Sequence, residues 1–88
     1  MKRKELERQF KGVANKRRIA ILSLLKKRKS VKVGVIADEI KLSFNATSKH
    51  MGVLYAAGFV DREQVSLEMH YRIADDLTDA ARSILAIV

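Results

Sequence analysis

Val33–Val60, VGVIADEIKLSFNATSKHMGVLYAAGFV, is the stretch that decides the fold. It reads as a two-turn helix over Val33–Ile40, with Val33, Ile36, Ala37 and Ile40 inward, followed by a tight polar turn. Ser43 is a candidate N-cap, since its hydroxyl can accept from a free amide at the start of the next helix. That helix is predicted from Phe44 to about Ala57. Gly58 ends it, because glycine accepts the positive φ at which helices commonly stop. A short apolar helix, a turn and a second helix with small polar and cationic side chains make the layout of a helix-turn-helix. In that layout the second helix lies in a DNA major groove.

On the N-terminal side, Lys4–Ala14 places Leu6, Phe10, Val13 and Ala14 at helical spacing. Asn15 can then cap a new helix. Ile19, Ile21, Leu22, Leu24 and Leu25 give that helix a broad apolar face, as a central core helix needs. Lys26–Lys29 crowd its end, where cations suit the helix dipole. Ser30–Lys32 reads as a short extended connector. On the C-terminal side, Phe59–Gln64 and Glu68–Ile73 alternate as strands do, around a turn at Val65–Leu67 that lacks Gly, Asn and Asp. Asp75 or Asp76 is expected to cap a final helix from about Leu77 to Val88. The order is helix, helix, short strand, helix, helix, two-stranded hairpin, helix. The fold class is mainly α with a small β-hairpin: a winged helix-turn-helix, one domain over residues 1–88.

Eighty-eight residues is near the small end of what folds alone. The chain has no cysteine, so disulfides and thiolate metal sites are excluded. No apolar run approaches the ~20 residues of a membrane span, the basic N-terminus lacks the apolar core of a secretory signal, and the cytoplasm is the simplest location. The net charge of +8 suggests a polyanionic partner. It is uneven: residues 1–32 hold thirteen Lys and Arg against Glu5 and Glu7, whereas residues 33–88 hold five against eight acids. Within that second part, Lys41–Gly58 carries no acid at all.

Asn15–Lys27, NKRRIAILSLLKK, and the stretch quoted first resemble the ArsR-type winged-helix repressors. The polar cap is Asn15 and the I-L-x-x-L core helix is Ile21–Leu25. The leucine-alanine helix corresponds to Ile36–Ala37 and the Leu-Ser turn to Leu42–Ser43. The family's Ser-Arg-His is here Ser48–Lys49–His50, and its exit to the wing is Leu54–Val60. His70–Tyr71–Arg72–Ile73 is similar to the end of that family's wing. The likeness covers roughly residues 6–88. Members that sense metals through a Cys-x-Cys pair carry it where this chain has Lys32 and Gly34. Others use carboxylates and His on C-terminal helices, whereas this one offers Asp75, Asp76 and Asp79 without His. No bound metal and no other cofactor are expected.

On a helical wheel, Thr47, His50, Met51 and Leu54 continue the core stripe, and Phe44, Asn45, Ser48, Lys49 and Gly52 form the other face. Asn45 suits adenine, Lys49 suits guanine O6 and N7, and Ser48 can contact either kind of base. Phe44 is suited either to a thymine methyl or to folding back over the turn. Gly52 either admits the phosphate backbone or is tolerated packing. His50 is a half-buried candidate whose ring nitrogen meets a phosphate or a carbonyl rather than a base. Ser30, Lys32 and Ser43 stand at element starts, where hydroxyls, amines and helix N-termini hold phosphate. Arg62 and Arg72 are the wing candidates, weakened by Glu63 and Glu68.

The terminal helices supply a homodimer face: Leu6, Phe10 and Val13 with Leu77, Ala81, Ile84, Leu85 and Val88, which alternatively close the monomer core. A two-fold dimer sets the reading helices about 34 Å apart, one turn of duplex. The function implied is a dimeric, sequence-specific regulator of transcription bound to double-stranded DNA, a repressor that blocks polymerase access. The alternative is a winged-helix module that holds another protein with its apolar wing, Val65, Leu67 and Met69. Structured RNA ranks below both, for want of an aromatic stacking platform. With no nucleophile–base pair, phosphate-cradling glycine loop or metal set, an enzyme is not expected.

Overall fold

The computed structural model describes residues 2–88. The element order is α1 (Arg3–Val13), α2 (Lys16–Lys26), β1 (Val31–Lys32), α3 (Val33–Ile40), α4 (Phe44–Ala56), β2 (Val60–Val65), β3 (Glu68–Ile73) and α5 (Asp79–Ile87). The connector at Ser30–Lys32 becomes a true strand. β1 pairs antiparallel with β3, Val31 opposite Tyr71 and Lys32 opposite His70, which makes a three-stranded sheet in the order β1-β3-β2. The wing is thereby tied to the foot of α3.

Local chemistry explains the boundaries. Asn15 Oδ1 accepts from the Arg17 and Arg18 amides and starts α2. Ser43 Oγ accepts from the Ala46 amide and starts α4. Between α3 and α4 the chain reverses at Lys41, which takes the left-handed conformation (φ 57°, ψ 52°). Its amide and that of Leu42 close back on the Asp38 and Ala37 carbonyls. Gly58 sits at φ 85° and stops α4 as expected. Strand β2 runs one residue further than its alternation suggested, to Val65, so the wing tip is the two-residue loop Ser66–Leu67.

The final helix starts later than expected. Neither Asp75 nor Asp76 caps it; the cap is Thr78, whose Oγ1 accepts from the Ala81 amide at 3.1 Å. Asp75 is occupied elsewhere: its amide donates to Asp61 Oδ2 and its carboxylate lies 3.6 Å from Arg72. The chain is still leaving the sheet at that point, with Ala74 buried and the Ala74 amide bonded to the Phe59 carbonyl.

Ile21, Leu22 and Leu25 of α2 form the centre of the core with Ile36, Met51, Leu54, Phe59 and Tyr71. Each such side chain stabilises the fold by about 1.5–3 kcal/mol on burial. α1 lies across the C-terminal end of α4, close enough that a Cβ on Gly12 would come 3.0 Å from that of Ala57. Buried Gln9 ties α1 to α5, its Nε2 donating to Thr78 Oγ1 at 2.9 Å. Ala81 and Leu85, expected at a dimer face, are instead buried in this same core. Ala81 has no surface left to present to a second copy, and Leu85 keeps only 5% of its own. Among the described residues no helix is long and apolar enough to cross a membrane.

Candidate nucleic-acid interface

Helix α4 presents two chemically different sides. Thr47, Met51 and Leu54 are fully buried, and Thr47 satisfies its hydroxyl on the Ser43 carbonyl at 2.8 Å. Asn45 and Lys49 are exposed, and Ser48 and Gly52 are half-buried. The helix contains no Asp or Glu, so the outward side carries no charge that repels phosphate. A Cβ built on Gly52 meets nothing within 4 Å. The protein's own packing therefore does not require glycine there.

Phe44 is 59% exposed and does not fold over the turn. It forms one wall of a cleft of about 340 Å³ between α4 and the wing, with Ser48 beside it and Leu67 and Met69 opposite. Lys32 and Gly34 stand at the mouth of α3 in the same cleft. Lys32 precedes α3 without a side-chain cap, and its ammonium pairs with Glu68 at 3.2 Å. Both partners are about half exposed, and ion pairs of that kind contribute at most about 1 kcal/mol. Ser30 is exposed just before β1.

His50 is held rather than presented. Arg18 Nη1 donates to its Nδ1 at 3.1 Å, and since a guanidinium can only donate, the ring is neutral with its proton on Nε2. Burial pushes its pKa below the ordinary 6.5, and the charges of Arg18 and Arg17 push in the same direction. The rest of the Arg18 guanidinium donates to the Gly12 and Lys11 carbonyls at the end of α1. One side chain thus joins the end of α1 to the middle of α4. Nothing in the sequence marked Arg18, because its partners lie 6 to 32 positions away.

The wing arginines are committed within the chain. Arg62 lies over the ring of Tyr55, 3.9 Å from its centroid, so it clasps the end of α4 to β2. Arg72 lies between Asp61 and Asp75, 3.6 Å from each. The tip itself is apolar, with Leu67 94% exposed. Among the described residues no group of three or more His, Cys, Asp or Glu side chains is placed to hold a metal ion.

A second helix seated on a helix-turn-helix core and flanked by a β-hairpin defines a winged helix-turn-helix, the architecture of a class of transcriptional regulators. The chain belongs to the arsR family of bacterial regulatory proteins, whose family model matches residues 15–62, more than half of its length. It is similar to the homodimeric winged helix-turn-helix DNA-binding domain (fragment 1–100) of a possible ArsR-family transcriptional regulator from Mycobacterium bovis. Identity to that domain is 30%, over 96% of this chain and 74% of that one, with a TM-score of 0.82. Rv0081 from Mycobacterium tuberculosis is 32% identical over 90% of this chain and 76% of that one, with a TM-score of 0.73. NolR from Sinorhizobium fredii is 26% identical over 96% and 80%, with a TM-score of 0.80. No sequence match among curated proteins reaches significance.

Proposed function

We propose that this protein is a homodimeric, sequence-specific DNA-binding regulator that lays α4 in the major groove and represses by occupying the duplex in place of polymerase. The observation that carries this reading is the outward side of α4: exposed Asn45 and Lys49 beside Ser48, on a helix without an acid. Asn45 and Lys49 have the hydrogen-bonding patterns that select adenine and guanine. Lys32 and Ser43 hold phosphates at the starts of α3 and α4, where free amides and the helix dipole favour negative charge, and Ser30 adds its hydroxyl just before β1. Arg62 and Arg72 steady the wing instead of gripping DNA, given their partners Tyr55, Asp61 and Asp75.

The M. bovis relative is a homodimer, and the terminal helices here support the same assembly. Phe10 on α1 is 55% exposed and Ile87 on α5 is 84% exposed. Leu6, Val13, Leu77, Ile84 and Val88 are half-buried around them. One domain spans the chain, with these helices as its dimerisation elements.

Selection from a random duplex library at physiological salt tests the proposal. The expected product is an inverted repeat with half-sites one helical turn apart. Lys49→Ala, a surface change, should then weaken binding by about 1–3 kcal/mol per half-site and relax preference at one base pair of each. Recovery of no common sequence would overturn the reading. The exposed apolar tip favours a second one, in which the wing captures a protein through Val65 and Leu67. Salt-insensitive protein capture that Leu67→Asp abolishes would establish it.

A further inference from the structure

We propose that the cationic flank of α1, Lys4, Arg8 and Lys11, is a second wall of the DNA site and takes the phosphate charge that the wing does not. The proposal rests on the reading of α4 given above and concerns the neighbouring surface. Lys4, Arg8 and Lys11 follow one another at i, i+4 and i+7 and so form one row along α1. They line an open groove of about 530 Å³ whose other wall is α4, at Val53 and Ala56. Val53 lies one turn beyond Lys49, about 6 Å along the axis, so the groove continues the reading side of the helix.

Charge decides the occupant. The groove contains one acid, Glu7, paired with Lys11 at 3.8 Å with both side chains largely exposed. Among the described residues Lys4 and Arg8 have no carboxylate within 4.0 Å. The wing arginines on the other side of α4 are engaged: Arg72 with Asp61 and Asp75, and Arg62 on Tyr55. A duplex in contact with α4 therefore meets a wing whose arginines are engaged on one side and, on the other, a row in which cations outnumber the single acid three to one. The apolar residues Leu6, Phe10 and Val13 fall on the opposite flank of α1, across the buried line of Gln9 and Gly12. A dimer formed through them leaves the cationic row open. Arg18, bonded to the Lys11 and Gly12 carbonyls and to His50, fixes the angle between the row and the reading helix.

The test compares the full chain with its Lys4→Gln, Arg8→Gln, Lys11→Gln variant on two short duplexes, the selected site and a scrambled one, across a KCl series. Lys27→Gln with Lys29→Gln, at the far end of α2, controls for net charge. Each lost phosphate contact makes the slope of log affinity against log salt shallower by about 0.9, so the triple variant should lose roughly 2.7 per bound protomer, about 5.4 for the dimer, on both duplexes. Its ranking of the two duplexes and its melting temperature should match those of the unaltered chain. A slope equal to that of the unaltered chain, or a change per charge no larger than in the control, overturns the proposal. Should the unaltered chain show no preference for the selected site, the reading of α4 falls. The slopes on the scrambled duplex then still decide the role of α1.

Discussion

His50 shows how one ring can report on the join between two helices. It is half-buried and faces two cations, Arg18 and Arg17, so burial first and their charge second hold its folded pKa below the ordinary 6.5. The unfolded chain then binds the proton first. Stability from this group is complete above 6.5 and is lost as pH falls below that value toward the folded pKa. Protonation also gives Nδ1 a hydrogen where Arg18 is already donating. The stability advantage of the natural chain over His50→Gln should therefore shrink as pH drops below 6.5, as urea titrations of both chains across that range would show. An advantage constant with pH would refute this account of the ring. Gly52, two residues on, carries a different expectation. Its Cβ position is open, so Gly52→Ala should stabilise the folded chain by about 0.5–1 kcal/mol through helix propensity alone. On the proposed reading the same methyl stands where the duplex approaches, so affinity for the selected site should fall while the melting temperature rises. A variant more stable and equally tight would show that this side of α4 stands clear of DNA.

The elements differ in how plainly the chain declares them. α4 was legible because its signals are local: Ser43 caps it, Gly58 stops it and the apolar period lies between. The hairpin was legible from its alternation, but its register was not: a three-residue turn at Val65–Leu67 would set Asp61 opposite Tyr71, whereas the two-residue tip sets it opposite Arg72. The start of α5 was not, because Asp75 and Asp76 have the chemistry of caps as much as Thr78 does. Only the Asp75 contacts to Asp61 and Arg72, made across the sheet, show that it is taken. The commitment of Arg62 and Arg72 was hidden for the same reason: a side chain's partner from another element leaves no periodic trace. The row Lys4, Arg8, Lys11 was visible as charge but not as a surface, since its neighbour α4 lies some forty positions away. The wing tip carries a strain the sequence only hinted at. Ser66 sits at φ 58° and Leu67 does not share the positive φ, the pattern of a tight hairpin turn that favours glycine at its first loop position. Ser66→Gly should stabilise the chain by about 1 kcal/mol, the cost of a left-handed φ for a residue with a Cβ. Thermal melts should show it, and a lower melting temperature would mean that the serine side chain holds the tip in place.

Across the whole molecule, the proposed reading assigns the duplex to the side with the uncontested positive charge and the partner protomer to the terminal helices. The acid-free α4 and the cationic row of α1 share one side. Phe10 and Ile87, the apolar side chains left exposed on the two terminal helices, belong to the elements proposed to pair. A domain of this size buries a modest share of its surface, so covering such side chains adds stability that the protomer core does not supply. On the proposed reading, pairing also converts two weak half-site contacts into one bivalent contact, whose strength depends on the spacing of the two α4 helices. Phe10→Asp with Ile87→Asp places two charges in that face while leaving the core cluster around Ile21 and Leu25 untouched. Sedimentation should then give a monomer that keeps its helical circular dichroism and binds an isolated half-site like the natural chain. Its affinity for the inverted repeat should collapse toward the half-site value. A double variant that still sediments as a dimer would place the two-fold elsewhere. The distance between reading helices, and the half-site spacing argued from it, would then have to be derived anew from the surfaces that do meet.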